Sequence, residues 1–441
     1  MTLDRLAFVT LLVLALCVGL GDIASVTSID AVLFTGVRGL LPLGIALALL
    51  ATLLGRRWPA FPSRLARPAV AWLGVLVVSA AFAPSNRLEA VASLERPASG
   101  ALLAWAVYEV CRTRARWRLL ARATALSGLA IALAGLAEAS GMPAAHAWLA
   151  ALHDGSVPIG DVPRIASTLS HPNEAAMLLE LSLPLLVAWA WTASRQWRVP
   201  LALAALSTLV AMVLTFSRAG VVAGMAGLAV MAGLCVIRGE RRPLLSLGAA
   251  ALAVPAALIC AAMTDPGLDR RLTAELSQDS AISALPAALT AQAPIVNSPS
   301  ALAPQPSRME FWTAALDMLR DYPWLGVGPD NFRWRFAGYS GVPADNLGIH
   351  AHDQYLEALA DTGVLGLFTL SWLLVWLVRT ALDGVRRVTA AGDWAWRAAI
   401  LASLSAWLLH ALLDDFERFW PASVAFWLLA GLNLRLTRTD R

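Results

Sequence analysis

Long runs of apolar residues recur along this chain of 441 residues and limit what it can fold into. Most runs are about 17–25 residues long, the length of helix that crosses the hydrocarbon core of a bilayer. They lack the alternation of polar and apolar residues that a membrane β-barrel needs. Only 15% of the residues are charged, against about 25% in a soluble domain. The sequence therefore predicts an all-α polytopic membrane protein.

The apolar runs predict about twelve transmembrane helices. These lie near 6–21, 31–54, 68–83, 97–112, 118–138, 172–193, 199–216, 219–237, 243–263, 357–380, 394–413 and 418–435. They divide the chain into 1–263 with nine helices, a large polar loop at 264–356, and 357–441 with three helices and a tail. Within the loop, 308–321 has the apolar spacing of a short amphipathic helix that ends before Pro323.

Arginine clusters predict the orientation of these helices. All 34 basic residues are Arg, and basic residues collect in short cytoplasmic loops. The clusters follow the even-numbered spans, near 56–67, 112–118, 195–198, 238–242, 386–387 and 435–441. We therefore expect both termini in the cytoplasm and the large loop outside it. The formal net charge of +4 does not indicate a nucleic-acid partner.

Two arginines stand apart from those clusters. Arg218 lies between two apolar stretches with almost no loop, on the side opposite the basic clusters. A charged residue beside a span is a functional candidate, although an arginine there also snorkels to the interface without any further role. Arg308 opens the helix of the large loop, where it is either a ligand contact or a solvated charge. The residues alone favour a functional role for Arg218 and leave Arg308 open.

Polar residues also precede the sixth span. Arg164 lies in the sequence PRIASTLSHPN, and His171 and Asn173 follow it directly before the apolar run. Asn173 is well placed to cap the helix, since Asn is a preferred N-cap residue. The alternative is that these side chains bind a ligand, and both interpretations stay open.

His352 lies just before the tenth span, in HAHDQYLEALADTG. Helical spacing would place His352 and Tyr355 on one face and turn His350 away. Imidazole is the commonest general base, but a single histidine is as often an interfacial polar residue. His410 and Asp414 are four residues apart, a spacing that favours a structural hydrogen bond over a place at the outer mouth of a cavity. The large loop has no HExxH, Cys–His or DxD-like pattern, so we expect no metal site.

Three stretches carry a family resemblance. In chain order they are SHPNEAAMLLELSLPL, LTFSRAGVVAGMAGL, and RMEFWTAALDMLRDYPWLGVGPDNF followed by HDQYLEALADTGVLGL. They resemble the HPN-containing span, the Ser-Arg turn and the loop signature of the O-antigen ligase and O-antigen polymerase superfamily. That superfamily of bacterial envelope proteins includes protein O-oligosaccharyltransferases. The detailed similarity covers 170–370, with Asp353 at a position where Asn is usual and Asp361 where Glu is usual.

The resemblance implies glycan transfer at the periplasmic face of the bacterial inner membrane. The donor would be a glycan on undecaprenyl diphosphate, and the acceptor hydroxyl would belong to lipid A-core, a glycan or a protein. Arg218 and Arg308 would bind the diphosphate, because arginine contacts phosphate oxygens bidentately. His352 would be the general base, with no cofactor and no metal. Further candidates for substrate contact are Arg164, His171, Asn173, Asp353 and Tyr355.

Two other classes of function remain open. Charged residues inside the membrane also occur in transporters, but those place their sites near the midplane on broken helices and are built from repeats. Here the polar residues concentrate at one end, and no internal repeat is visible. A non-catalytic assembly protein would instead have a solvated loop without affinity for anions. The residues do not separate ligase, polymerase and protein glycosyltransferase.

Overall fold

The structure is a computed structural model that describes residues 2–20, 37–55, 63–150, 158–159, 162–240, 306–341, 349–416 and 419–436. Helices dominate the described residues. In chain order they are α1 Leu3–Cys17, α2 Val37–Leu54, α3 Ser63–Ala81, α4 Arg87–Ser93, α5 Glu95–Val110, α6 Arg114–Ala139, α7 Pro143–Ala150, α8 Pro172–Thr192, α9 Arg195–Leu214, α10 Arg218–Arg238, α11 Arg308–Asp321, α12 Phe332–Ser340, α13 Gln354–Arg387, α14 Ala391–His410 and α15 Trp420–Leu436. The strands β1 Pro158–Ile159 and β2 Val162–Pro163 form an antiparallel hairpin.

The predicted helical class is confirmed. Helices occupy eleven of the twelve predicted spans, and the remaining span, 243–263, lies outside the described residues. Five of the described helices, α6, α8, α9, α10 and α13, are long and apolar enough to cross a membrane. The count of twelve spans therefore stays a prediction. The helix predicted at 308–321 is confirmed as α11, whereas 264–305 of the predicted large loop lies outside the described residues.

Helices α8 and α14 form the centre of the bundle, and α10 packs against both of them. Most side chains of α8 and α14 are buried, as expected of helices enclosed by other helices. Gly220 lets α10 approach closely, since a Cβ there would lie 2.5 Å from the Cβ of Ala176 on α8. The same Cβ would lie 3.5 Å from Cε1 of His410. The start of α10 is therefore held beside the end of α14.

Helix α13 bends sharply at Gly363, where φ is +64° and the backbone is not helical. A Cβ at this position would lie 2.4 Å from the carbonyl carbon of Trp324, so the approach requires glycine. The turn after α11 packs into the bend, and the amide of Gly328 donates to the carbonyl of Asp361 at 2.8 Å. The bend thus holds α11 against the first part of α13.

The carboxylate of Asp361 completes this junction. It accepts hydrogen bonds from the amides of Asp330 at 2.7 Å and Phe332 at 2.8 Å. These contacts hold the turn that leads into α12. Asp361, which stands where Glu is usual in the superfamily that the sequence resembles, therefore stabilises this turn.

The helix ends fall into two polar groups at opposite ends of the bundle. At one end, Arg116 of α6 pairs with Asp4 of α1 at 2.7 Å, and Arg238 of α10 donates to the carbonyl of Val388 after α13 at 2.9 Å. At the other end, α8, α10, α13 and α15 begin and α9 and α14 end. This grouping agrees with the alternation of the arginine clusters. Which end faces the cytoplasm stays a prediction.

Candidate functional site

His352 lies beside Asp414 at the end of the bundle where α13 begins. Its Nδ1 is 3.3 Å from Oδ1 of Asp414, and its side chain is 34% exposed. The ring of Phe311 on α11 meets the His352 ring edge-on, with centroids 5.5 Å apart. The carboxylate of Asp414 and the Phe311 ring of α11 therefore hold the imidazole in place. Nε2 is the ring nitrogen directed away from Asp414.

The backbone around His352 changes direction just before α13. His352 has φ of +49°, in the left-handed region that residues other than glycine rarely adopt. Asp353 is the N-cap of α13, and its Oδ1 accepts from the amides of Tyr355 at 2.9 Å and Leu356 at 3.0 Å. Asp and Asn cap helices about equally well, so the departure from the family's Asn keeps the cap. Burial raises the pKa of the Asp353 carboxyl, against the lowering effect of these two amides.

The helix face expected to join His352 and Tyr355 does not form. Both His350 and His352 precede α13, so helical spacing does not relate them to Tyr355. The Tyr355 hydroxyl instead donates to the carbonyl of Leu408 at 3.0 Å and so joins α13 to α14. His350 is buried, with Nδ1 2.7 Å from Oε1 of Glu357.

A chain of hydrogen bonds runs from Asp414 to Arg164. Nδ2 of Asn173 donates to Oδ2 of Asp414 at 2.7 Å, and Nη2 of Arg164 donates to Oδ1 of Asn173 at 2.6 Å. Nε of Arg164, which is buried, donates to the carbonyl of Thr215 at 2.8 Å. The chain therefore links the segment before α8, the turn between α9 and α10, and His352.

Asp414 has a role that the sequence reasoning missed. Burial alone would raise the pKa of its carboxyl, but the hydrogen bond with His352 and the charges of His352 and His410 lower that pKa below its usual value. The group therefore stays ionised at neutral pH, and its stabilising effect is lost only as the pH falls below the usual Asp range. An acidic pair directly after a span, on the side of His352, was the signal available in the sequence.

Asn173 does not cap α8, contrary to one of the two expectations. The N-cap is His171, whose Nδ1 accepts from the amide of Asn173 at 3.1 Å. The His171 ring also stacks on Phe419, with centroids 6.1 Å apart. The Asn173 side chain is consequently available to bridge Arg164 and Asp414.

Arg218 and Arg308 approach this region from two different elements. Arg218 is the exposed first residue of α10, whose N-cap Ser217 accepts from the amide of Gly220 at 3.3 Å. The positive end of the helix dipole adds to its charge. Arg308 is the exposed first residue of α11 and acts electrostatically on His410. Because His410 also lies beside Gly220, both arginines lie around the same end of α14.

A fully buried pair lies at this end of α14. Nδ1 of His410 is 2.8 Å from Oε2 of Glu180, and neither side chain is exposed. The pair joins α8 to α14 at the centre of the bundle. Glu180 is a second residue that the sequence reasoning missed. A carboxylate in the middle of an apolar run was the signal for it.

Comparisons with known proteins give a family and a distant structural likeness. The family model described as O-antigen ligase matches residues 181–371, a segment that contains Arg218, Arg308 and His352. No curated protein matches the chain in sequence. A solved chain described as "Structural coordination of polymerization and crosslinking by a peptidoglycan synthase complex" is 16% identical, with a TM-score of 0.43 over 86% of this chain and 98% of that chain.

Proposed function

We propose that this chain, which belongs to the O-antigen ligase superfamily through residues 181–371, transfers a glycan from undecaprenyl diphosphate to an acceptor hydroxyl. The family and the apolar helices make the chain a multi-pass membrane protein of the glycan-transferring kind. The acceptor would be lipid A-core, a second glycan or a protein hydroxyl. The reaction would take place at the periplasmic face of the inner membrane.

The hydrogen-bonded chain from Arg164 through Asn173 and Asp414 to His352 is the observation that supports this proposal most strongly. It connects the segment before α8 and the loop after α14, which are distant in the sequence, to one partly exposed imidazole. An ionised carboxylate on Nδ1 fixes the orientation of the ring and leaves Nε2 as the basic nitrogen. A purely structural histidine would not require a partner that is itself held by Asn173, which is in turn held by Arg164.

His352 would act on the acceptor. Nε2 takes the proton of the acceptor hydroxyl as the oxygen attacks the anomeric carbon of the donor sugar. The bond from that carbon to the diphosphate oxygen breaks, and undecaprenyl diphosphate leaves with the electron pair. The ionised Asp414 stabilises the imidazolium that forms, because opposite charges in hydrogen-bond contact favour the charged state of each group.

Arg218 and Arg308 would act on the leaving group. Negative charge grows on the diphosphate as the glycosidic bond breaks, and fixed cations aimed at that charge stabilise the transition state. The two arginines are exposed and start separate helices around His410. Each arginine is also the first residue of a helix, where the positive end of the helix dipole favours a phosphate ligand. A transfer of this kind has no requirement for a metal at the diphosphate.

A reconstituted transfer assay tests the proposed function. The purified full chain in liposomes is given a glycan on undecaprenyl diphosphate together with lipid A-core. We expect a lengthened acceptor and release of undecaprenyl diphosphate, and neither product with an acceptor that lacks free hydroxyls. Movement of solute or donor across the liposome without any transfer product would show a transporter instead.

A reporter fusion tests the proposed topology. We propose that 1–263 and 357–441 form the membrane part and that 264–356 is periplasmic, because the arginine clusters follow alternate spans. A reporter inserted near Gln292 should be active only if it is of the periplasmic type. A matched fusion after Arg387 should show the opposite pattern. Activity of a cytoplasmic reporter near Gln292 would show that the chain has the opposite orientation.

A further inference from the structure

A second polar region lies next to the segment that carries His352 and is separate from the proposed transfer site. It is a cavity of about 70 Å³, and neither His352 nor Arg218 nor Arg308 lines it. Four acidic side chains line it, whereas Arg96 is the one basic side chain among the described residues that line it. The acidic residues are Asp330, Glu357, Asp361 and Asp415. This excess of negative charge suits a cation.

Three side chains with metal-binding atoms converge beside this cavity, and two of them, Glu357 and Asp415, line it. Nδ1 of His350 lies 2.7 Å from Oε1 of Glu357 and 3.3 Å from Oδ2 of Asp415. Each residue offers one ligand atom, and the three atoms lie within 4.8 Å of one another. All three side chains are buried. One imidazole nitrogen and two carboxylate oxygens at such separations match the donor set of a divalent transition-metal site.

Gln354 supplies an independent indication of a ligand. This residue lines the cavity and is only 5% exposed. Within the part of the chain that the structure describes, its Oε1 has no hydrogen-bond partner. Buried polar atoms normally have a partner. An amide oxygen is a donor that binds a cation directly or through a coordinated water, so a bound cation would satisfy this atom.

We propose that His350, Glu357 and Asp415 bind a divalent cation of the zinc or manganese class, with Gln354 as a further oxygen donor. The sequence did not predict this site, because its ligands come from two distant segments and follow no local motif. Binding of the cation does not rest on the proposed function.

The position of this site gives the cation a mechanical role. It would fasten the segment before α13 to the loop after α14, and these are the segments that carry His352 and Asp414. Only this effect on transfer rests on the proposed function. The three ligands are positioning residues, and they make no contact with the reacting atoms.

Metal binding by the full chain tests the proposal directly. The protein is purified in detergent with any affinity tag removed, stripped with a chelator, and titrated with Zn²⁺ or Mn²⁺. We expect about one bound ion per chain, measured by elemental analysis, and a higher Tm in the presence of the ion. Glu357→Gln and Asp415→Asn should each weaken binding about 10-fold or more. Asp317→Asn, on the exposed face of α11 and outside the cavity, should bind as the wild type does.

Two outcomes overturn the proposal. Wild-type protein without stoichiometric metal and without a change in Tm would mean that His350 and the carboxylates form an internal ion pair only. Unchanged binding by both variants would place the ion elsewhere in the chain. The wild-type stoichiometry decides the matter even if a variant fails to fold. Absence of glycan transfer in a protein that binds the ion counts against the proposed function and leaves the metal site standing.

Discussion

His352→Ala is expected to lower turnover in the transfer assay about 10²–10⁴-fold, the usual effect of losing a general base, while donor binding stays nearly unchanged. The imidazole acts on the acceptor hydroxyl, whereas the donor is bound through its diphosphate. The loss should therefore appear in kcat and not in the donor Kd. Single-turnover kinetics and binding of the lipid-linked donor in detergent measure the two quantities separately.

Two further variants sharpen this prediction. Asp414→Asn keeps the shape of the site but removes the negative charge that faces Nδ1 of His352, so it should also lower kcat. Combined with His352→Ala it should add little, because the two residues act as one unit. His146→Ala, which changes an exposed histidine on α7, should leave transfer unchanged. If His352→Ala weakens donor binding as much as turnover, the residue is a diphosphate contact and the base lies elsewhere.

Arg308→Ala and Arg218→Ala should each lower transfer about 10²–10³-fold, since each removes a charge-assisted contact to the leaving diphosphate. Lysine at position 218 should restore little, because it lacks the forked geometry of the guanidinium. The measurement is kcat/KM for the lipid-linked donor, with membrane insertion checked by yield and Tm.

Arg320→Ala is the matched control for Arg308. Arg320 lies on the same helix α11, pairs with Asp317, and has a side chain that is 77% exposed. A charge removed there tests whether any arginine of the loop helix matters or only the one at its start. Near-normal transfer by Arg308→Ala or Arg218→Ala would remove that residue from the proposed site.

The sequence was informative wherever structure depends on local pattern. Apolar run length predicted the helices, and amphipathic spacing predicted α11 with its end before Pro323. The glycines at 326 and 328 have positive φ and form the turn that packs into the bend of α13, as a glycine-rich segment before Pro329 commonly does. In each case neighbouring residues carry the whole signal, since helix periodicity and turn conformation act over a few positions.

The missed features all depend on contacts between distant segments. Asp414 is 62 positions from His352 along the chain, and no spacing rule relates the two. Tyr355 was misplaced because the helix was assumed to include His352, whereas Asp353 caps it one residue later. The spacing of His410 and Asp414 suggested a mutual bond, but each side chain pairs with a partner on another element, Glu180 and His352 respectively.

The left-handed backbone at His352 lowers the stability of the fold, whereas the proposed chemistry requires a histidine at this position. A residue other than glycine in this conformation costs about 1–3 kcal/mol, and glycine would adopt the same φ without that cost. Selection for stability alone would therefore favour glycine over histidine at this position. A screen that measures only thermal stability should recover variants that have lost the histidine. Engineering of this protein for robustness has to hold position 352 fixed and seek its gains in other parts of the bundle.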